Sequence, residues 1–208
     1  MSKLAKGYGM LSDAVLRRIR AKGASWAFTP SDFADLGDPR SVGMILTRFG
    51  RKGGIRRVQR GVYEIPRQHP LLGTVGAGTE AITKAIARRD GLKLLPSGAH
   101  AANALGLSTQ VAAKTAYGIA GRSRIQPAGG RAEVIFRRRS PKAMALAGRA
   151  SGWLAEALRS LGPTHSTAER LQGLKSTLGP KQRRELLADI RYVPAWMRPH
   201  FRALARDE

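Results

Sequence analysis

Two short signatures, Thr29-Pro30 and Asp38-Pro39, stand nine residues apart, and each places a capping oxygen directly before a proline. Proline suits the first position of a helix because the amide it lacks has no partner there, while Thr or Asp in front of it satisfies the amides that follow. Two such starts so close together demand two helices joined by a tight turn. The first is short, stopped by Gly37; the second runs from Asp38-Pro39 to about Lys52. Within the second, Val42, Ile45, Leu46 and Phe49 recur at i, i+3, i+4 and i+7 and form one buried stripe. Upstream, Ser12 is positioned to cap a helix carrying Ala14, Val15, Leu16 and Ile19 on one side and ending near Gly23. Downstream, Gly53-Gly54 breaks the pattern. Ile55-Arg56-Arg57-Val58-Gln59 and Val62-Tyr63-Glu64-Ile65 then read as strands joined through Arg60-Gly61. Three helices followed by a hairpin predict a winged helix-turn-helix over residues 1–70.

The charge suggests what such a module would meet. The chain has 37 Lys and Arg against 14 Asp and Glu, a formal net charge of +23, and both segments are basic, 14 against 5 in residues 1–70 and 23 against 9 in 71–208. So positive a chain calls for a polyanionic partner. Residues 48–60 hold six basic groups and no acid, across the end of the third helix and the hairpin. In helix-turn-helix proteins the recognition helix enters the major groove and phosphate contacts fix its register. Arg40, Ser41, Met44, Thr47 and Arg48 are therefore expected near base edges of double-stranded DNA. Arg51, Lys52, Arg56, Arg57 and Arg60 are expected on the backbone or an adjacent minor groove. The competing reading of the same face is a solvated basic surface used for protein contacts, since fold does not fix function.

Residues 67–78 carry Pro70 and three glycines, follow Pro66, and read as a linker; their glycines lack the Lys-Ser/Thr and the preceding buried strand of a phosphate-binding loop. The second region, 71–208, reads as a mixed α/β domain ending in helices, so the fold class is α+β. Its expected elements are a helix capped by Thr79 to Arg89, a strand over 92–95, a helix capped by Ser97, and strands over 114–119 and 132–137. Helices follow over 141–161, 165–178, 180–191 and 195–205. Arg122, Arg124, Arg131, Arg137, Arg138 and Arg139 form a second basic group. Its candidate partners are flanking DNA, an acidic protein surface or solvent. Trp153, Tyr192 and Trp196 at helical positions read as core.

Residues suited to catalysis or metal binding are sparse. Cysteine is absent and the four histidines, His69, His100, His165 and His200, have no partners at metal-ligand spacing, so neither metal nor cofactor is expected. Ser97 and His100 lack a third member of a triad, and a capping role explains Ser97. Glu133 stands alone on its strand, with Ile135 where a nuclease-type lysine would be. A non-enzymatic protein is expected. No apolar run reaches the roughly 18 residues of a membrane span, and the N-terminus is not signal-like, so the reading is cytoplasmic.

Several stretches resemble AbiEi-type antitoxins of bacterial type IV toxin-antitoxin systems, in the branch with a winged-helix start. They are Trp26-Ala27-Phe28-Thr29-Pro30-Ser31-Asp32-Phe33, Ile55-Arg56-Arg57, Arg60-Gly61-Val62-Tyr63, and Arg67-Gln68-His69-Pro70-Leu71-Leu72-Gly73. Leu95-Pro96-Ser97-Gly98-Ala99, Asn103-Ala104-Leu105-Gly106-Leu107-Ser108-Thr109-Gln110-Val111 and Arg191-Tyr192-Val193-Pro194-Ala195-Trp196 complete the set. The resemblance implies two functions. The N-terminal winged helix would bind inverted-repeat operator DNA and repress its own operon, and the C-terminal domain, 71–208, would neutralise a cognate nucleotidyltransferase-like toxin. The alternative is a stand-alone winged-helix regulator whose second domain senses a ligand or partner.

Overall fold

The computed structural model describes residues 3–71, 73–110 and 114–206; Leu72 and Val111 of the stretches quoted above lie outside the described residues. The fold is mixed α+β. It separates into two compact units, Met1–Leu92 with Gln126–Val134, and Lys93–Ile125 with Ile135–Glu208.

In the first unit α1 spans Lys3–Lys22, β1 Ala27–Phe28, α2 Pro39–Arg51, β2 Arg56–Gln59 and β3 Val62–Glu64, with a single 3-10 turn at Pro30–Phe33. Helix α1 begins nine residues before the expected cap, so Ser12 lies inside it; it ends as expected, with Gly23 in the left-handed region (φ +74°). The expected second helix is only that 3-10 turn, because the Asp32 carboxylate turns back to accept from the Thr29 amide at 2.8 Å and closes one turn. The Trp26-Ala27-Phe28 stretch supplies β1, which joins an antiparallel sheet in the order β1-β3-β2. Val15, Ile19, Phe28, Phe33, Val42, Ile45, Leu46 and Ile55 form the core, closed by Tyr63.

Where a linker was expected, β4 (Arg67–His69) and β5 (Gly73–Val75) form a small antiparallel hairpin, tied across by Gln68 donating to Thr74 at 3.0 Å. Helix α3 (Thr79–Arg89) follows, with Gly78 rather than Thr79 at the cap position. It belongs to the first unit, which thus extends past residue 70. Glu64 anchors this arrangement. Its carboxylate, 1% exposed, accepts from Arg56 Nε at 2.7 Å and from the Ala77 amide at 2.6 Å. A Cβ at Gly76 would sit 2.2 Å from that carboxylate, so the chain can pass only as glycine.

The second unit contains β6 (Leu95–Pro96), α4 (Gly98–Ala104) and β7 (Thr115–Ile119). It continues through α5 (Pro141–Met144), α6 (Ala150–Leu161), α7 (Ala168–Lys175), α8 (Pro180–Asp189) and α9 (Arg198–Ala205). Strands β8 (Arg124–Pro127) and β9 (Glu133–Arg138) complete a sheet of order β6-β7-β9-β8, and their connecting residues group with the first unit. Strand β8 was not expected, its Arg-Ile-Gln-Pro sequence lacking any strand pattern. The single helix expected over 141–161 is broken at Gly148, φ +78°. Helix α4 packs on α6, and α8 on both α6 and α9. Trp153, Tyr192 and Trp196 lie half-buried against their shared core.

Gly76→Ala is expected to destabilise the protein by about 2–3 kcal/mol through overpacking against the Glu64 carboxylate. Gly173→Ala, on α7 with nothing within 4 Å of the added Cβ, should instead stabilise by up to about 1 kcal/mol. Urea unfolding of both variants checks the pair; a neutral Gly76→Ala would contradict the packing described.

Candidate nucleic-acid interface

Helix α2 starts where the cap signature placed it. Asp38 accepts from the amides of Arg40 at 2.9 Å and Ser41 at 3.1 Å, and hydrogen bonding with Ser41, then these amides, holds its carboxyl below the usual carboxylate range. Val42, Ile45 and Leu46 are buried, which turns the opposite face outward. On that face Met44 is 52% exposed, and Arg40, Thr47, Arg48 and Arg51 are exposed around it.

This face and the β2–β3 hairpin enclose an open groove of about 580 Å³. Arg40, Met44, Thr47, Arg48 and Arg51 line it from the helix, and Arg57, Gly61 and Tyr63 from the hairpin. Six of the ten residues expected to touch DNA thus converge on one concave surface. Ser41 is half-buried beside the Asp38 cap, and Lys52 is exposed at the C-cap of α2. Arg56 borders an adjoining groove, but its guanidinium is taken up by Glu64, with Nη2 to Oε1 at 2.6 Å. Arg60 is exposed in the hairpin turn, where Gly61 adopts φ +72°.

Sequence reasoning missed the residues that hold these elements in place. Arg89 of α3 donates to the Arg60 carbonyl at 2.7 Å, and Gln59 donates to Gln126 at 3.3 Å, so two bonds from outside the sheet brace the hairpin. Arg88 reaches Asp32 at 2.6 Å and the Ala27 carbonyl at 2.9 Å, fixing the 3-10 turn and β1. Arg18 forms a two-pronged pair with Asp35 at 2.6 and 2.7 Å, which raises the guanidinium pKa and lowers that of the carboxyl. Tyr63 was also missed. It stacks on Phe28 at 6.3 Å between centroids and brings its hydroxyl to 3.5 Å from Thr47 Oγ1. Strand β3 is central and buried throughout, so it shows no alternation that would single Tyr63 out.

The second basic group is not one patch. Arg131 falls in the stretch grouped with the first unit and the other five in the second. Arg122, Arg137 and Arg138 are exposed, whereas Arg124 lies over the Phe136 ring at 5.2 Å. Arg139 crosses Gly118, where a Cβ would meet its Cγ at 2.5 Å, to pair with the buried Glu156 at 2.5 Å. Ser97 accepts from the His100 amide as a helix cap, and the His100 ring lies 5.7 Å from Tyr117 and 5.4 Å from Trp153. Glu133 is exposed. Among the described residues no three His, Asp or Glu side chains gather as a metal site, and no helix is long and apolar enough to cross a membrane.

Because the Asp38 carboxyl titrates below its ordinary range, the stability it adds is fully present above about pH 4 and is lost as pH falls through the lowered value. Asp38→Ala is expected to lower the melting temperature at pH 7, with the gap to wild type closing toward pH 3. Asp38→Ser, which caps without titrating, should hold its own melting temperature relative to Asp38→Ala across that range. Thermal unfolding at stepped pH reads both.

Compared with proteins of curated function, the chain has no significant match. The sequence pattern of a family of unknown function, DUF6088, matches residues 14–186, and the chain belongs to that family.

Proposed function

We propose that the first unit is a winged helix that binds double-stranded DNA, with α2 as the recognition helix and the β2–β3 hairpin as the wing. The observation that carries this reading is the groove itself, which gathers Arg40, Arg48, Arg51 and Arg57 around an exposed Met44 with no carboxylate in its lining. Phosphates suit the cations, and an apolar side chain among them suits a base edge such as the thymine methyl. If about five cations neutralise phosphates, log affinity should fall with log salt at a slope near −4 to −5, and Arg51→Ala should flatten that slope by about 1. Fluorescence anisotropy on a duplex selected from a random library measures both. No enrichment of any duplex, or an affinity indifferent to salt, defeats the reading.

For the whole chain we propose an antitoxin-repressor that acts on its operator through this unit and restrains a nucleotidyltransferase-like toxin through the second. The resemblance to AbiEi-type antitoxins supports this. Its later stretches fall on β6–α4 and on the turns around Ile190–Tyr192 and Ala195–Met197, all in the second unit. Co-expression with a neighbouring nucleotidyltransferase gene that is toxic alone should restore growth. Deleting residues 93–208 should abolish rescue, and failure of the intact chain to rescue would remove the antitoxin role. A second reading, a regulator whose second unit senses a small molecule, is favoured by one observation, a partly enclosed groove in that unit.

A further inference from the structure

We propose that this groove binds a small monocarboxylate with an apolar aryl or alkyl body. It lies among α4, α6 and α7 with a volume of about 520 Å³, inside the range of small-molecule sites. Leu107, Trp153, Leu154, Leu174 and Leu178 supply apolar walls. Among the polar side chains at its rim, Arg170 and Gln182 keep free donors, and Thr177 gives its proton to a backbone carbonyl. Arg170 Nε donates to the Leu107 carbonyl at 3.1 Å, which fixes the guanidinium, while its two terminal nitrogens have no partner among the described residues. Gln182 Oε1 accepts from the Gly179 amide at 2.8 Å, leaving its amide N–H groups. Thr177 donates its hydroxyl to the Leu174 carbonyl at 2.8 Å. No carboxylate lines the groove.

A rim whose one charged group is a guanidinium, set above apolar walls, selects a ligand with an acceptor at one end and hydrocarbon at the other. One guanidinium with a free terminal fork matches one planar carboxylate in charge and geometry, and a dianionic phosphate would be left half-neutralised. Gly173 also lines the groove, and a Cβ there meets nothing within 4 Å, so the space beside it is vacant and a larger side chain would fill it.

This inference gives the sensor reading of the second unit its ligand class and rests on that reading only for its regulatory consequence, since binding is measured without DNA. Isothermal titration of the full chain with 3-phenylpropionate and octanoate, beside their uncharged amides, is the test. The acids should bind more tightly than the amides. Arg170→Ala should weaken the acids by about tenfold or more and leave the amides nearly unchanged, as expected for loss of a charge-assisted hydrogen bond. Arg170→Lys should keep part of the acid preference, which guards against a folding defect in the alanine variant. Gly173→Leu, with its melting transition retained, should abolish binding of both. Equal binding of acid and amide, no binding to wild type at millimolar concentration, or unaltered binding to Gly173→Leu would overturn the site. Binding of the acids without a change in duplex affinity would uphold the site and count against its use as a regulator.

Discussion

A carboxylate almost wholly removed from water needs charge-assisted partners, because an unpaired buried charge is costly. Glu64 meets that demand on three elements at once. It faces Arg56 across β2–β3 and Ala27 across β1–β3, and its other oxygen takes the Ala77 amide just ahead of α3. The three-stranded sheet and the entry to α3 are therefore referred to one point. From there α3 carries Arg88 to Asp32 and Arg89 to the Arg60 carbonyl. The 3-10 turn before α2 and the hairpin after it are held by the same helix, and the groove between α2 and the hairpin has its shape because of this chain of contacts.

The groove's electrostatics follow from where the acids of residues 1–70 lie. Asp32, Asp35 and Glu64 are paired with Arg88, Arg18 and Arg56, Asp38 faces backbone amides at the start of α2, and Asp13 is exposed on α1. None of them lines the groove, whose lining holds four arginines and no carboxylate. A concave surface in that condition concentrates field and favours a polyanion. In the second unit the same logic withdraws Arg139, which Glu156 holds beneath the sheet, and Arg159 pairs with that carboxylate too. Basic residues that look equivalent along the chain are thus sorted into structural and available ones.

Much of this was legible beforehand, and in particular places. The Asp38-Pro39 start, the Val42, Ile45, Leu46 stripe and the Arg60-Gly61 turn all appear at the expected positions, since each depends on neighbours within about four residues. The groove-lining cations of α2 follow from the stripe alone, as the face opposite it. Less legible were β1, two residues long with its partner β3 far along the chain, and β8, whose four residues show no strand pattern although they pair with the next strand, β9. The hairpin β4–β5 was hidden for a similar reason, its Pro and Gly content reading as a linker although its strands pair locally.

The residues in order thus specify the caps, the buried helix face, the hairpin and the overall excess of positive charge, because these are matters of local hydrogen bonding, periodicity and counting. Three-dimensional packing settles which arginines face solvent and which are structural. Arg88 finds Asp32 across 56 positions and Arg139 finds Glu156 across 17. Such pairs leave no periodic trace, since burial of the carboxylate and not the spacing of the charges selects the partner.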